Sequence, residues 1–349
     1  MIMPVGGSVV GVMKAVVRTA AGGPEVFELV ERPVPEPGPG EVRVRVHVSG
    51  VNPTDWRSRQ RDLPDGLSEQ VPHQDGAGVI DAVGPDVDPD RIGQRVWLWE
   101  AAWQRAWGTA QQYTLVPDRQ AVALPGHASF ELGASAGIPA LTAHRALTVA
   151  DGGPARIAPG TLRDVTVLVA GGAGAVGNAA IQLAHWAGAR VITTVSGPAK
   201  AALAHAAGAD RVIDYRAQDA VTEIRAVAPE GVDIIVEVAP AANAALDVAV
   251  AAPGAVIAFY SGNAGEPLSV PVLETLPSNL RWQGVFVYTV PVTAKEHAVA
   301  DVTAAMAAGA LRAGEEAGLP LHRFPLDRLA DAHTAVERGV VGKVLVTVP

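Results

Sequence analysis

The chain contains no cysteine among its 349 residues, so disulfides and thiolate-ligated zinc or iron–sulfur centres are excluded. Basic residues are scarce: 27 Lys and Arg against 36 Asp and Glu give a net charge of -9, the wrong balance for a protein whose main task is to neutralise nucleic-acid phosphates. No apolar run approaches the roughly 18 residues of a membrane span. A signal peptide is also missing from the reading. The opening MIMPVGGSVVGVMKAVV has no basic residue before Lys14 and is broken by Pro4, Gly6, Gly7 and Gly11, so the chain reads as cytoplasmic, with the residues before Met13 an extension or an upstream start. What is abundant is apolar material, at 49% enough for a core in each of two domains.

The stretch from Val165 to Ser196 carries the clearest motif. An apolar, β-branched run, Val165 to Val169, leads into Gly172, Gly174 and Gly177 in the spacing G-x-G-x-x-G, with Ala175 and Val176 between them and apolar helical positions at Ala180, Ile181 and Ala184. A pyrophosphate must approach backbone closely, and only glycine leaves that room while letting a strand turn sharply into a helix. The helix N-terminus then supplies free N–H groups and the positive end of a dipole. Dinucleotide binding is the reading, against the plainer one of glycines that merely cap and pack.

The type of dinucleotide is signalled about 20 residues on, where an acidic residue would hold the ribose 2'-hydroxyl of NAD. Here the second strand ends in Ser196, Lys200 follows, and Tyr215 ends the next strand-like run. Donors and a positive charge suit a 2'-phosphate, which points to NADPH. Each residue also has an ordinary reading, Lys200 as a solvated helix position and Tyr215 as a half-buried strand position.

Organisation follows the hydrophobic pattern. The first third is strand-like, with Val42, Val44, Val46 and Val48 alternating with Arg43, Arg45 and His47, and with Gly and Pro punctuation between short runs. From Glu131 the pattern changes, and from 165 onward strands and helices alternate: strands at 165–169, 190–195, 211–215, 232–238, 255–260 and 282–290, helices at 175–187, 198–207, 241–251 and 294–309, then a closing KVLVTV. Such alternation implies an α/β fold with a parallel, doubly wound sheet.

The segments PGPGEVRVRVHVSGVNPTD, QDGAGVIDAVG, GTAQQYTLVP, GIPALTAHRAL, the glycine loop with AIQLAHWAGA, AAGADRVIDYR and GKVLVTVP together resemble the medium-chain dehydrogenase/reductases, specifically the zinc-free quinone oxidoreductase branch that includes zeta-crystallin. The resemblance runs from Met13 to Pro349. It implies a GroES-like, mostly-β catalytic domain at 1–138 and 291–349, a Rossmann NADP-binding domain at 139–290, and a homodimer joined through the last Rossmann strand. The positions that hold catalytic zinc in related alcohol dehydrogenases correspond to Asn52, Gln74 and Ile138, which are not a zinc-ligand set. His73, beside the second position, lacks partners in the sequence.

A metal-free member of this family is expected to deliver hydride from NADPH to an acceptor that is already electrophilic, a quinone or another conjugated carbonyl, whose incoming charge spreads onto oxygen. Asn52, Thr54 and Asp55 in NPTD are the candidate catalytic residues. Asp55 and Thr54 can equally cap the helix that Pro53 opens. Arg59 resembles a family arginine, with a solvated surface position the alternative for it and for Arg57. The resemblance adds Lys343 toward the phosphates, and places Ala239, Ser261, Phe286 and Tyr288 beside adenine or nicotinamide.

Four of the seven tryptophans fall in WLWEAAWQRAW, which departs from the family. Trp97 and Trp99 share a strand face. Trp103 and Trp107 have helical spacing and are candidate substrate-binding residues that stack on a flat ring, with core packing the alternative. GASAG at 133–137 matches a nucleophile elbow around Ser135, but no buried strand precedes it and Pro139 follows. Two other functions stay open: an enoyl or alkenal C=C reductase, and a non-catalytic NADPH-binding protein.

Overall fold

Valines that alternate with arginines and a histidine make β3 a strand with one buried face, and the rest of the N-terminal third is built around it. The computed structural model describes residues 11–349; the extension expected before Met13 lies, up to residue 10, outside them. β1 (Val12–Val17) pairs antiparallel with β2 (Glu28–Pro33). β3 (Glu41–Val51) leads into α1 (Pro53–Arg59), followed by β4 (Asp75–Val83), β5 (Arg95–Leu98), β6 (Tyr113–Pro117) and β7 (Ala121–Ala123). Val42, Val44 and Val46 are buried as period two requires. Val48 is only half-buried, because the register against β4 shifts between Val46 and Val48.

The following elements are α2 (Phe130–Leu147), β8 (Thr166–Ala170), α3 (Ala175–Trp186), β9 (Arg190–Val195), α4 (Pro198–Ala206), β10 (Arg211–Asp214), α5 (Ala220–Val227), β11 (Val232–Glu237), α6 (Pro240–Val250), β12 (Ala251–Phe259), α7 (Val272–Thr275), β13 (Arg281–Gly284), α8 (Val292–Ala307), β14 (Leu321–Pro325), α9 (Leu329–Glu337) and β15 (Lys343–Thr347). Strands β8 to β13 form one six-stranded parallel sheet in the order β10-β9-β8-β11-β12-β13. Counted within that sheet the order is 3-2-1-4-5-6, so the winding reverses between β8 and β11. Ligands of such sheets sit beyond the carboxyl ends of the strands near that reversal. The other large sheet runs β14-β15-β3-β4-β5-β7, with β6 also paired to β3.

The chain divides into two compact units, one of 1–123, 323–338 and 344–349, the other of 124–322 and 339–343. The boundaries differ from the expected 138/139 and 290/291 because α2 packs on α3 and on α8, which draws both flanking helices into the unit of the parallel sheet. Three local differences accompany this. An unanticipated helix, α5, is capped by Asp219, whose carboxylate accepts the Thr222 N–H at 2.7 Å. The strand expected at 282–290 stops at Gly284 and gives way to a 3-10 turn at Val287–Thr289. Residues 101–106 form turns and bends and Trp107 a β-bridge to Val71, rather than the helix that the spacing of Trp103 and Trp107 suggested. Among the described residues no helix is long and apolar enough to cross a membrane.

Candidate active site

In the parallel-sheet unit, β8 ends at Ala170 and the chain turns through Gly171 at φ +72. The Gly171 carbonyl accepts the Gly174 N–H at 3.0 Å, and α3 starts at Ala175 with Gly174 as its N-cap. A β-carbon on Gly177 would stand 2.5 Å from Gly171 O and 3.0 Å from Gly172 Cα, so helix and loop meet where only glycine fits. On Gly174 the same atom would meet nothing closer than Gly171 O at 3.4 Å. Gly177 is required by packing, whereas Gly174 has room around it.

The loop opens onto a cavity of about 230 Å³ lined by Gly171, Ala173, Gly174, Ser196, Lys200, Tyr215 and the segment Gly339–Val341. Lys200 Nζ donates to Ser196 Oγ at 2.9 Å, and Tyr215 is half exposed. The glycine loop and the three residues chosen for a 2'-phosphate therefore share one cavity, and no carboxylate lines it. Val176 and Gly177 lie behind the lining, on the first turn of α3. The segment Gly339–Val341 was missed by sequence reasoning, because nothing local marks it.

Lys343 is not part of that lining. It is buried at the start of β15, its N–H donating to Pro320 O at 2.8 Å, and the chain enters it through Gly342 at φ +110. Ala239, Ser261 and Phe286 follow the ends of β11, β12 and β13, along the carboxyl edge of the same sheet but outside this cavity. Tyr288 is buried, its ring 5.0 Å from that of Phe286.

In the other unit, Asn52 ends β3's run and caps α1. Its N–H donates to Asp55 Oδ2 at 2.7 Å, which gives Asp55 the capping role, and its Nδ2 donates to Asp75 Oδ2 at 2.7 Å. Thr54 is half-buried on the first turn of α1. Arg59 is fully buried, not solvated: Nε donates to Gly22 O at 3.0 Å and Nη2 pairs with Glu337 at 2.9 Å. The Arg57 guanidinium sits 5.5 Å from the Trp56 ring.

A second cavity, of about 240 Å³, is lined in this unit by residues that include Asp55, Arg59, Gln70, His73, Gln74 and Trp103. Trp107 is elsewhere. It packs against the core formed by Val16, Val46, Val71 and Val344, with the Arg32 guanidinium 5.1 Å from its ring. Trp97 and Trp99 are buried. Ser135 lies inside α2 with its hydroxyl donating to Glu131 O at 2.6 Å, which removes the nucleophile-elbow geometry.

Sequence also missed a buried proton array beside this cavity. Thr109 Oγ1 lies 2.6 Å from Asp75 O; a carbonyl only accepts, so Thr109 donates to it. Ser49 must then donate to Thr109 Oγ1 at 2.6 Å and His73 Nδ1–H to Ser49 Oγ at 2.8 Å, and one proton lies between His73 Nε2 and His333 Nε2, 2.9 Å apart. One carbonyl thus sets the direction of the array as far as the Nδ1–H of His73. Burial, then the neighbouring His73, Arg59 and Arg18, hold the His333 pKa well below its ordinary value. His73 adopts φ +80, a left-handed conformation rare outside glycine, and its ring bonds hold it there.

The same contacts test the zinc expected of related enzymes. Asn52 donates to Asp75, Gln74 Oε1 accepts the Ala102 N–H at 3.1 Å, Ile138 is aliphatic, and neither His73 nitrogen keeps a lone pair for a metal. These residues do not fit the ion. Among the described residues no group of three His, Cys, Asp or Glu could hold one.

Residues 38–126 match the family described as Alcohol dehydrogenase GroES-like domain, and 175–305 the one described as Zinc-binding dehydrogenase. Quinone oxidoreductase from Homo sapiens is 30% identical over 350 residues, covering 95% of this chain and 97% of that protein. The chain belongs to the zinc-free quinone oxidoreductase family of the medium-chain dehydrogenase/reductases. This family's fold recurs in a mycobacterial protein solved in complex with NADPH, 28% identical with a TM-score of 0.78 over 96% of this chain and 99% of that one. It recurs again in a protein described as an NAD-dependent alcohol dehydrogenase, 29% identical with a TM-score of 0.82 over 96% of this chain and all of that one. As a member of the quinone oxidoreductase family with a Rossmann sheet, the chain is an oxidoreductase that binds NAD(P)H.

Proposed function

We propose that the protein is an NADPH-dependent reductase that transfers hydride to a quinone or other conjugated carbonyl without a metal. The observation that carries the cofactor choice is the cavity in which the glycine loop meets Ser196, Lys200 and Tyr215 with no carboxylate among them. The first turn of α3, from Ala175, offers backbone N–H groups to the pyrophosphate, those of Gly171, Gly172 and Gly174 being bonded inside the loop, and Lys200 offers its ammonium to a 2'-phosphate beside Ser196 and Tyr215. When bound, NADPH supplies the hydride.

The acceptor side is assigned to the cavity lined by Trp103, Gln74, His73 and Asp55. Trp103 offers a face for a flat ring, and the Gln74 amide nitrogen, whose oxygen partner is already engaged, offers a donor to the oxygen that gains charge. Asn52 and Asp55 brace this wall by bonding to Asp75 and to the start of α1. The exposed edge strand β13, with Val272, Leu273 and Leu276 exposed in the segment before it, supports a homodimer, and the charge and the apolar pattern support a cytoplasmic protein.

The test is oxidation of NADPH and of NADH with phenanthrenequinone, para-benzoquinone and simple enones as acceptors. NADPH is expected to be preferred by at least tenfold in KM, with turnover of the quinones. Equal use of the two cofactors defeats the 2'-phosphate assignment, and binding without turnover of any acceptor defeats the reaction.

A further inference from the structure

Glu237 ends β11, at the carboxyl edge where the sheet's winding reverses, and it is fully buried. Its carboxylate accepts the Ala239 N–H and, with both oxygens at 3.1 Å, the Asn243 Nδ2 amide. It therefore braces the turn Val238–Ala239 and the first turn of α6. Val238 in turn lies against the glycine loop: a β-carbon on Gly171 would stand 3.1 Å from Val238 Cγ1.

Asp247, one helical face along α6, is also fully buried, and no N–H or cation among the described residues reaches either of its oxygens. Asp247 lies one turn beyond Asn243 on α6, on the same face, and the Asn243 amide bonds both oxygens of Glu237, so the carboxyl that Asp247 faces is that of Glu237. Two buried carboxyls in contact without a cation cannot both be ionised, so they share a proton. The donors settle which one carries it. Glu237 is offered N–H groups by Ala239 and Asn243 and holds the negative charge, while Asp247, offered none, is the acid that donates.

We propose that Asp247 is a positioning residue for the dinucleotide site: by donating the shared proton to Glu237 it holds the turn Val238–Ala239 against the glycine loop, and losing that proton releases the turn and weakens cofactor binding. This rests on the reading of the glycine-loop cavity as the NADPH site. Burial, then the charge of Glu237, pushes Asp247 up to about 9, so the release falls on the alkaline side.

No charged side chain of the neighbouring elements acts on either carboxyl. On α2, His144 is bonded to Asp301 at 2.8 Å, and Glu131 and Arg145 do not contribute. On α5, Arg225 donates to Ala249 O and Ala251 O at the far end of α6, and Glu223 pairs with Arg211. Strands β8 and β12 carry no titratable side chain. Tyr260, just past β12, is kept protonated by burial and by Glu237.

The experiment measures NADPH affinity from pH 7 to 10 for wild type and Asp247→Asn, together with the infrared C=O band of a protonated carboxylic acid in the unliganded proteins. The amide keeps a donor toward Glu237 but cannot ionise. At pH 7 the two Kd values should agree within about twofold. At pH 10, one unit past the midpoint, wild type should be weaker by about tenfold relative to Asp247→Asn. Comparing the two removes effects they share, such as titration of Lys200.

The acid band should be present in wild type at pH 7, fade with the same midpoint as the affinity, and be missing in Asp247→Asn. Superimposable affinity profiles, or no acid band in wild type, overturn the proposal. If Asp247→Asn fails to fold, the wild-type band and affinity must still share one midpoint, and separate midpoints overturn it. Failure of wild type to bind either dinucleotide at pH 7, with the band present, identifies the cofactor reading as the fault and removes the positioning role with it.

Discussion

Two glycines of one motif, Gly174 and Gly177, should respond oppositely to the same methyl group. In Gly177→Ala the new Cβ falls 2.5 Å from Gly171 O and 3.0 Å from Gly172 Cα, both backbone atoms that cannot rotate away. Overpacking of this kind costs about 1–3 kcal/mol. For a unit of this size each kcal/mol lowers Tm by roughly 2–4 °C, so the melting transition should fall by about 2–12 °C. In Gly174→Ala the nearest atom is 3.4 Å away, and the backbone, at φ -82 and ψ 163, is one that alanine adopts without strain. Replacing glycine at such a position gains about 0.4–1 kcal/mol by restricting the unfolded chain, so Tm should hold or rise slightly. The methyl would nevertheless occupy the approach to the N-terminus of α3, and NADPH affinity should drop at least tenfold. Thermal melts with and without NADPH, where a ligand at 100 times its Kd adds about 2.7 kcal/mol, separate the effects. A stable Gly174→Ala that binds NADPH like wild type would show that the start of α3 is not the pyrophosphate seat. An unchanged Tm for Gly177→Ala would refute the packing argument.

Lys200→Ala should weaken NADPH by about tenfold or more, the value of a charge-assisted hydrogen bond, while NADH affinity stays within about twofold; parallel losses would contradict the 2'-phosphate assignment. Trp103→Ala should raise the acceptor's KM severalfold with little change in Tm, whereas Trp107→Ala, which removes a ring from the core and its Arg32 contact, should lower Tm by several degrees and leave KM alone. Stability should decline in acid. His333 has a folded pKa depressed below its unfolded value, so its contribution is complete above about pH 6.5 and shrinks as pH falls from there, by at most about 1.4 kcal/mol per unit. Chemical unfolding at pH 7.5, 6.5 and 5.5 checks this, and His333→Gln should flatten the slope.

Sequence carried the first four strands of the parallel sheet, β8 to β11, to within a residue, because glycines, a capped helix and β-branched runs are local signals, whereas β12 starts at Ala251 rather than 255 and β13 ends at Gly284 rather than 290. The helix α5 escaped notice although Asp219 caps it and Ile224 buries in the core, since eight residues give too few turns for a clear period. The dinucleotide cavity was legible where its wall is the motif itself and illegible at Gly339–Val341, which reach it from more than a hundred residues away. His73 and His333, 260 positions apart, could be joined only by the fold. The position of Trp107 was decided by packing on a valine core, which outweighs its spacing from Trp103.

The position of β15 between β14 and β3 has a consequence for how the chain is made. The parallel sheet is complete once β13 has emerged, from one continuous stretch of sequence. The other large sheet has its first strands ready long before that, yet an interior strand of it is not translated until Lys343–Thr347. On the ribosome, β3 therefore waits through the synthesis of an entire second folding unit with part of one edge open, β6 covering Glu41–Arg45 but only β15 covering Val48–Val51. The rate at which that stretch is closed once β15 has emerged sets how long a nascent chain is exposed to mispairing.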